Sequence, residues 1–131
     1  MNVQGILVDT WAWIEMMSGS TRGDHVRSIV RSNPKIFISA LTVYELRYRL
    51  EQLGGRQNAL SIIQQITDQA GVIAVDSTIA IMAGMIKTEQ KREGSGMGAV
   101  DCMILATART HDLKLLTGDR HFAGLDDVMQ V

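Results

Sequence analysis

Short apolar runs alternate along the chain with longer stretches in which apolar residues recur every three or four positions. The short runs predict strands, and the longer stretches predict helices. Such an alternation is typical of β-α units arranged around a mainly parallel sheet. The predicted strands cover residues 5–8, 36–39, 72–75, 114–117 and 128–131.

Breakers mark the ends of the predicted helices. Asn33-Pro34 ends the second helix because a residue before proline avoids the helical region, and Gly54-Gly55 ends the third. No repeat, low-complexity tract or second domain is evident, so we predict one α/β domain over residues 1–131, with a mainly parallel sheet of four to five strands. The predicted helices cover residues 10–17, 22–32, 42–53, 56–69, 77–93 and 99–111.

Composition narrows the class of protein. A chain of 131 residues with 46% hydrophobic residues and a single proline indicates a globular domain rather than a disordered or fibrous one. The lone Cys102 cannot form an internal disulfide, and no zinc cluster is available. The first residues lack the pattern of a secretory leader, and the apolar run 79–86 is much shorter than the ~20 residues that span a bilayer. We therefore expect a soluble cytoplasmic protein with no membrane contact.

Net charge gives no sign of a general affinity for nucleic acid. The chain carries 13 Lys and Arg against 14 Asp and Glu, so any binding to nucleic acid must use a local patch. Basic residues do cluster, for example at Arg47 and Arg49, but the simplest interpretation is the solvated face of a helix.

Four acidic residues stand where the predicted chain passes from strand to helix. Asp9 closes the first strand, Asp119 follows the fourth through a single glycine, and Glu45 and Asp101 fall in the opening turns of two helices. Each has an ordinary structural explanation. Asp9 suits a helix N-cap, Asp119 a turn, and Asp101 the positive end of a helix, while Thr42 and Glu45 fit a capping box.

Taken together, the four acids predict a metal site. In open α/β sheets the ligand crevice lies beyond the carboxyl ends of the strands, and right-handed crossovers place those ends at one edge. Crowded carboxylates repel, and a cation relieves the repulsion. Oxygen ligands without Cys or His favour Mg²⁺ or Mn²⁺, and such an ion can activate water against a phosphodiester. The pattern thus favours metal-dependent phosphodiester hydrolysis by attack of metal-bound water.

Four motifs carry a resemblance to a known family, the PIN-domain ribonucleases, and in particular to the VapC-type toxins of toxin-antitoxin pairs. The motifs are Leu7-Val8-Asp9-Thr10 with Trp13, Ser39-Ala-Leu-Thr-Val-Tyr-Glu45-Leu, Asp101-Cys-Met-Ile-Leu-Ala-Thr-Ala108, and Leu116-Thr-Gly-Asp119-Arg-His-Phe122. The resemblance implies a three-layer α/β/α sandwich and an endoribonuclease that depends on Mg²⁺ or Mn²⁺. It makes Asp9, Glu45, Asp101 and Asp119 the acidic quartet.

The resemblance also implies supporting residues and partners. Thr117 matches a hydroxyl that orients a water or a carboxylate, and Thr10 is a weaker supporting candidate. Toxins of this type are commonly homodimers that act on RNA, and a VapB-like antitoxin silences them by covering the active-site groove with its C-terminal segment. The methionines and the large aromatic side chains near the motifs are expected to pack in the core rather than to line a groove or a dimer face. The aromatic residues are Trp11, Trp13, Tyr44 and Tyr48.

Three alternatives remain open from the sequence. One is a PIN-fold nuclease that processes RNA without being a toxin, and another is a catalytically silent PIN-like binding module. The third is an aspartate-based phosphotransfer domain. A phosphatase of the haloacid-dehalogenase type would need a second Asp where Trp11 stands. A receiver domain would need paired acids after the first strand and a lysine late in the chain, whereas Val8-Asp9 gives only one acid and Lys114 opens its strand rather than closing it.

The remaining polar residues receive ordinary interpretations. Asp76 is expected to cap a helix, and Cys102 to face the core. The histidines show no metal-ligand spacing, and the last acids lie beyond the matched motifs, so we assign neither group to the site. These are His25, His111, His121, Asp126 and Asp127.

Overall fold

The computed structural model describes residues 5–131, and the first four residues, which the leader prediction includes, lie outside it. Its five strands are all parallel, in the order β3-β2-β1-β4-β5. The elements in chain order are β1 (Ile6–Val8), α1 (Thr10–Met17), α2 (Thr21–Arg31), β2 (Ile36–Ser39), α3 (Ala40–Gly54), α4 (Arg56–Gln69), β3 (Gly71–Ile73), α5 (Ser77–Arg92), α6 (Ala99–Thr110), β4 (Lys114–Thr117), a short 3₁₀ helix (Arg120–Phe122) and β5 (Val128–Gln130).

The sheet is the middle of three layers. Successive strand residues point to opposite faces, so in β1 Ile6 and Val8 pack with helices α1 to α4, whereas Leu7 packs with α5 and α6. All three residues are buried, as expected for a parallel strand covered on both sides. The predicted α/β/α sandwich with a mainly parallel sheet is thus confirmed.

Strand order reverses between β1 and β4, which are neighbours in the centre of the sheet. Val8 lies opposite Leu116, and the amide of Asp9 donates to the Leu116 carbonyl at 3.2 Å. Both strands therefore end at the same edge and level. Ligands of open α/β sheets bind at such a reversal point, so this is the place at which the sequence predicts a site.

The start of α3 corrects the structural explanation given above for Glu45. The helix begins at Ala40 rather than at Thr42, because the Ser39 hydroxyl caps it by accepting from the Leu41 amide at 3.1 Å. Thr42 lies inside the helix and Glu45 in its second turn, so the Thr42–Glu45 capping box is wrong.

Smaller differences affect other element ends. Strand β3 covers Gly71–Ile73 rather than 72–75, and α2 begins at Thr21, one residue earlier than predicted. The predicted cap at Asp76 is confirmed, since its carboxylate accepts from the Ile79 amide at 3.0 Å.

A glycine allows α2 to pack closely on α1. A Cβ at Gly23 would lie 2.2 Å from the backbone carbonyl oxygen of Glu15. Because that oxygen belongs to the backbone, the clash could be relieved only by moving one of the two helices. The close contact fixes α1, whose first residue, Thr10, reaches the site described below.

Within residues 5–131, no helix is both long enough and apolar enough to cross a bilayer. The longest helix, α5, instead buries one stripe of side chains, formed by Ile79, Ala83 and Ile86. Ile81 and Met85 lie outside this stripe and are 68% and 62% exposed.

Candidate metal centre

Asp9 stands at the end of β1 with its carboxylate almost fully buried, 5% of the residue being exposed. Its Oδ1 accepts from the Ala12 amide at 2.9 Å and so caps α1. Its Oδ2 accepts from the Thr117 hydroxyl at 2.6 Å. The capping role and the site position therefore coexist in one residue, and both carboxylate oxygens are held in place.

Thr117 connects the ends of β1 and β4. While its hydroxyl donates to Asp9, its oxygen accepts from the Asp119 amide at 3.0 Å. Thr117 is completely buried. The hydroxyl thus orients a carboxylate, which is one of the two roles predicted for it.

The carboxylate of Asp119 approaches that of Asp101 across a histidine. Asp119 caps the short 3₁₀ helix by accepting from the His121 amide at 2.9 Å, and this turn brings the imidazole back over the site. His121 Nδ1 lies 3.1 Å from Asp119 Oδ1 and 3.3 Å from Asp101 Oδ2. One ligand atom from each of the three residues lies within 4.8 Å of the other two.

The sequence pattern leaves His121 out of the site, whereas the structure places its Nδ1 beside the carboxylates of Asp101 and Asp119. The only sequence signal was that His121 stands two residues after Asp119, which was expected in a turn. That spacing does not occur among the metal-ligand patterns of helices.

Glu45 points toward the site from α3. Its Oε1 accepts from the Thr10 hydroxyl at 2.7 Å, and that hydroxyl also lies 3.2 Å from the Thr42 hydroxyl. The first residue of α1 therefore orients a carboxylate on α3, and Thr10 holds Glu45 as Thr117 holds Asp9.

These acids surround one small cavity of about 170 Å³. The structure brings together all of the predicted acids there, and Thr117 lies directly behind Asp9. The lining residues are Asp9, Thr10, Trp11, Glu45, Arg49, Asp101, Ile104, Asp119 and Phe122.

Burial and mutual repulsion make the charged state of this site costly. Burial raises the pKa of Asp9 to about 7, although the hydrogen bonds from Thr117 and Ala12 lower it, and the charges of Asp119 and Asp101 raise it further. Burial also raises the pKa of Asp101, with Asp119 adding to the effect and His121 opposing it. Strongly perturbed carboxyl groups in a cleft are typical of functional sites.

The chemistry of the ligand set fits a divalent cation. A carboxylate oxygen that accepts one hydrogen bond keeps a second lone pair, so Asp9 and Asp119 retain ligand capacity in spite of their capping bonds. Carboxylates suit Mg²⁺ and Mn²⁺, and the adjacent His121 nitrogen adds a ligand that Mg²⁺ rarely uses. Because several acids line the cavity, a bound cation would also lower the repulsion among them.

The structure also gives the positions of other residues for which the sequence made a prediction. Asp127 pairs with Arg109 at 2.8 Å, away from the acids, and Cys102 is buried in the core as expected. Trp13 is buried with its Nε1 donating to the Val8 carbonyl at 3.1 Å. The prediction of core packing is wrong for Tyr44 and Tyr48, which are 70% and 60% exposed.

Comparison with known proteins identifies the family of this chain. Residues 6–128 match the family model of the PIN domain, which is nearly the whole chain. The chain therefore belongs to the PIN-domain family, as the sequence motifs predict.

Particular relatives narrow the similarity to VapC proteins. The tRNA(fMet)-specific endonuclease VapC of Shigella flexneri is 31% identical over 85 residues, which make up 65% of this chain and 64% of that protein. The match thus spans just under two thirds of the relative's length.

Solved structures show the same fold. A toxin-antitoxin complex from Klebsiella pneumoniae has a chain with a TM-score of 0.77 and 24% identity, covering 95% of this chain and 96% of that one. VapBC-1 from nontypeable Haemophilus influenzae has a chain with a TM-score of 0.81 and 19% identity, covering 97% and 96%.

The pKa of Asp9 predicts how the stability of the metal-free protein depends on pH. Below pH 4 the carboxyl is protonated in both folded and unfolded chains, whereas between pH 4 and 7 only the unfolded chain ionises, so stability falls as pH rises. A rise from 3.8 to about 7 corresponds to about 4 kcal/mol, which is lost by pH 8. Asp9→Asn should remove this decline.

The measurement is urea unfolding in EDTA at several pH values. Asp126→Asn, which alters an exposed carboxylate outside the cavity, should behave as the wild type does. Equal pH profiles for wild type and Asp9→Asn would contradict the raised pKa.

Proposed function

We propose that this chain is an endoribonuclease that uses Mg²⁺ or Mn²⁺ to hydrolyse RNA phosphodiester bonds, as the toxin of a type II toxin-antitoxin system. It works in the cytoplasm as a homodimer of single nuclease domains. The observation that carries the proposal is the convergence of Asp9, Glu45, Asp101 and Asp119 on one cavity at the reversal point of the sheet. The similarity to a VapC that is named an endonuclease specific for tRNA(fMet) supports it.

The proposed roles follow from the contacts. Asp9, Asp101 and Asp119 hold the cation, with Glu45 as a further carboxylate on the opposite wall. Thr117 and Thr10 are positioning residues, because each fixes one of these carboxylates through its hydroxyl. The bound ion supplies Lewis-acid activation of water and neutralises charge that develops on the phosphodiester oxygens. The pre-oriented carboxylates need little rearrangement to accept it.

The structure speaks against aspartyl phosphotransfer. Asp9 is almost completely buried and both of its oxygens accept hydrogen bonds, so it is poorly placed to attack phosphorus. The strand order 3-2-1-4-5 also differs from the 2-1-3-4-5 order of receiver domains. A silent binding module is disfavoured because all four acids are present and oriented.

Asp101→Asn should abolish RNA cleavage in a folded protein. Asp101 lies within the metal-ligand cluster, so the loss should exceed the ~10–100-fold effect of removing a mere supporting partner of a metal ligand. Stability without metal should hold or rise, because one repelling charge is removed. Cleavage of transfer RNA with Mn²⁺ measures activity, and thermal unfolding verifies the fold.

Asp126→Asn, an exposed change outside the cavity, serves as the matched control and should cleave normally. Full activity of a folded Asp101→Asn protein would remove Asp101 from the site.

Calorimetric titration should detect Mn²⁺ binding near neutral pH, and His121→Ala should weaken it about tenfold while changing Mg²⁺ binding much less. The reason is that His121 Nδ1 lies within 4.8 Å of ligand oxygens on Asp101 and Asp119, and nitrogen suits Mn²⁺ better than Mg²⁺. His25→Ala, an exposed change on α2, should have no effect.

The opposite outcome is informative. If His121→Ala tightens the binding of both ions, the imidazole competes with the metal instead of binding it. Failure of the wild type to bind Mn²⁺ would favour the silent binding module.

A mainly apolar groove that shares two helices with the acidic cavity fits an antitoxin. It has a volume of about 650 Å³ and is lined by residues of α1, α2, α3 and α4, including Met17 and Leu53, which are 41% and 80% exposed. The same two helices, α1 and α3, supply Thr10 and Glu45 to the acidic cavity. A segment lying in the groove can therefore continue along these helices over the acids. The likeness to a chain of a toxin-antitoxin complex supports an antitoxin partner.

Leu53→Glu should weaken binding of a VapB-like antitoxin by at least about tenfold, because it places a charge in an apolar contact. The partner to test is the product of a small reading frame immediately upstream, measured by calorimetry. Leu60→Glu is the control, since Leu60 is 49% exposed on α4 but does not line the groove. Equal affinities of the two variants would place the antitoxin elsewhere, and no binding by the wild type would favour an RNA-processing nuclease.

A further inference from the structure

Arg49 brings a positive charge into a cavity otherwise charged by carboxylates. It lies one helical turn beyond Glu45 on α3, so the two side chains share a face of that helix. Among the residues that line the cavity, Arg49 alone is a lysine or arginine. Its side chain is exposed, which places the guanidinium at the solvent side of the cavity.

The guanidinium of Arg49 is not used to neutralise an acid. Across residues 5–131, other arginines form ion pairs, such as Arg47 with Glu51 at 2.9 Å and Arg109 with Asp127 at 2.8 Å. Arg49 forms no ion pair or side-chain hydrogen bond within the described chain, although Glu45 is four residues away. The Glu45 carboxylate takes its hydrogen bond from Thr10 instead. As far as residues 5–131 are concerned, all five guanidinium N–H groups are therefore available to a ligand.

The charge distribution identifies the ligand class. The acids repel a polyanion, so an RNA strand that reaches the cation needs a favourable contact beside them. A guanidinium binds phosphate through two parallel hydrogen bonds and keeps its charge at every physiological pH. We propose that Arg49 binds a phosphate of the RNA backbone at the mouth of the cavity and so positions the strand for cleavage. This inference rests on the proposed ribonuclease function.

A competing role is that of a counter-ion for the carboxylates. The two roles give different results when the charge is removed but the aliphatic stem is kept, as in Arg49→Gln. A substrate contact affects RNA binding and leaves the metal affinity almost unchanged. A counter-ion affects the metal affinity, because its removal makes the site more negative.

RNA binding is measured with fluorescently labelled transfer RNA over a range of salt concentrations, in an Asp101→Asn background that prevents cleavage. Adding Arg49→Gln should weaken binding about tenfold. The slope of log affinity against log salt should fall by about 0.7, as expected for one phosphate contact to a single strand. In the active protein, Arg49→Gln should raise KM for transfer RNA with Mn²⁺ more than it lowers kcat.

Two variants sharpen the test. Arg49→Lys keeps the charge but loses the paired hydrogen bonds, so it should restore the salt slope and only part of the affinity. Arg47→Gln changes an arginine on the same helix that is already paired with Glu51, and it should match the wild type.

The inference is overturned if Arg49→Gln binds and cleaves RNA as Arg47→Gln does. It is also overturned if Arg49→Gln tightens Mn²⁺ binding by about tenfold while RNA affinity is unchanged, because that result identifies a counter-ion. Failure of the proposed function looks different, since the wild type itself would then neither bind nor cleave RNA.

Discussion

The Thr117 hydroxyl is the contact on which the geometry of the site depends. The hydroxyl accepts a hydrogen bond from the Asp119 amide and donates one to the Asp9 carboxylate. A single buried oxygen therefore fixes the residues that follow β4 relative to the residue that follows β1. The pairing of Val8 with Leu116 sets the level of the two strand ends, and the hydroxyl then sets the direction of the carboxylate. Without it, Asp9 would keep a buried oxygen with no partner, at a cost of about 1–3 kcal/mol.

Structural and chemical roles are combined in the same acids. Asp9 caps α1 and Asp119 caps the 3₁₀ helix, and these bonds prevent either carboxylate from turning into solvent. An acid that is free to rotate would relieve the repulsion by moving away. The caps therefore explain how the carboxylates remain close together, and a capping bond is no argument against a role in metal binding.

Sequence pattern was sufficient for the parts of the molecule that follow apolar periodicity. The bounds of β2, β4, α1 and α4 match the prediction, and so does the placement of Asp9 and Asp119 at strand ends. The direction of Glu45 was not accessible, because it depends on whether Ser39 or Thr42 caps α3, and both residues are good caps. Propensity cannot decide between two candidate caps that are three residues apart, whereas packing of α3 on the sheet can.

The positions of His121 and Arg49 beside the acids could not be predicted from the sequence, for a different reason. His121 reaches the acids only because a short 3₁₀ helix follows Asp119, and Arg49 faces the cavity only because α3 is in the register that Ser39 sets. Both positions are polar and exposed, where sequence gives no periodic signal. The same residue classes elsewhere, such as Arg47, are ordinary surface residues paired along the helix.

The rigidity of the site leaves only a few ways to balance its charge. Because Asp9 and Asp119 are held by backbone and hydroxyl donors, the repulsion among the acids must be relieved by a proton, by the imidazole of His121 or by a divalent cation. Burial raises the pKa of Asp9 to about 7, so its proton is retained far above the usual range, and His121 Nδ1 lies within 3.3 Å of both Asp101 and Asp119. A cation that enters must displace the proton of Asp9, and it gains by contacting several fixed carboxylates at once. The burial that makes the charged acids costly in the folded chain is therefore the same feature that supports the proposed binding of a divalent cation.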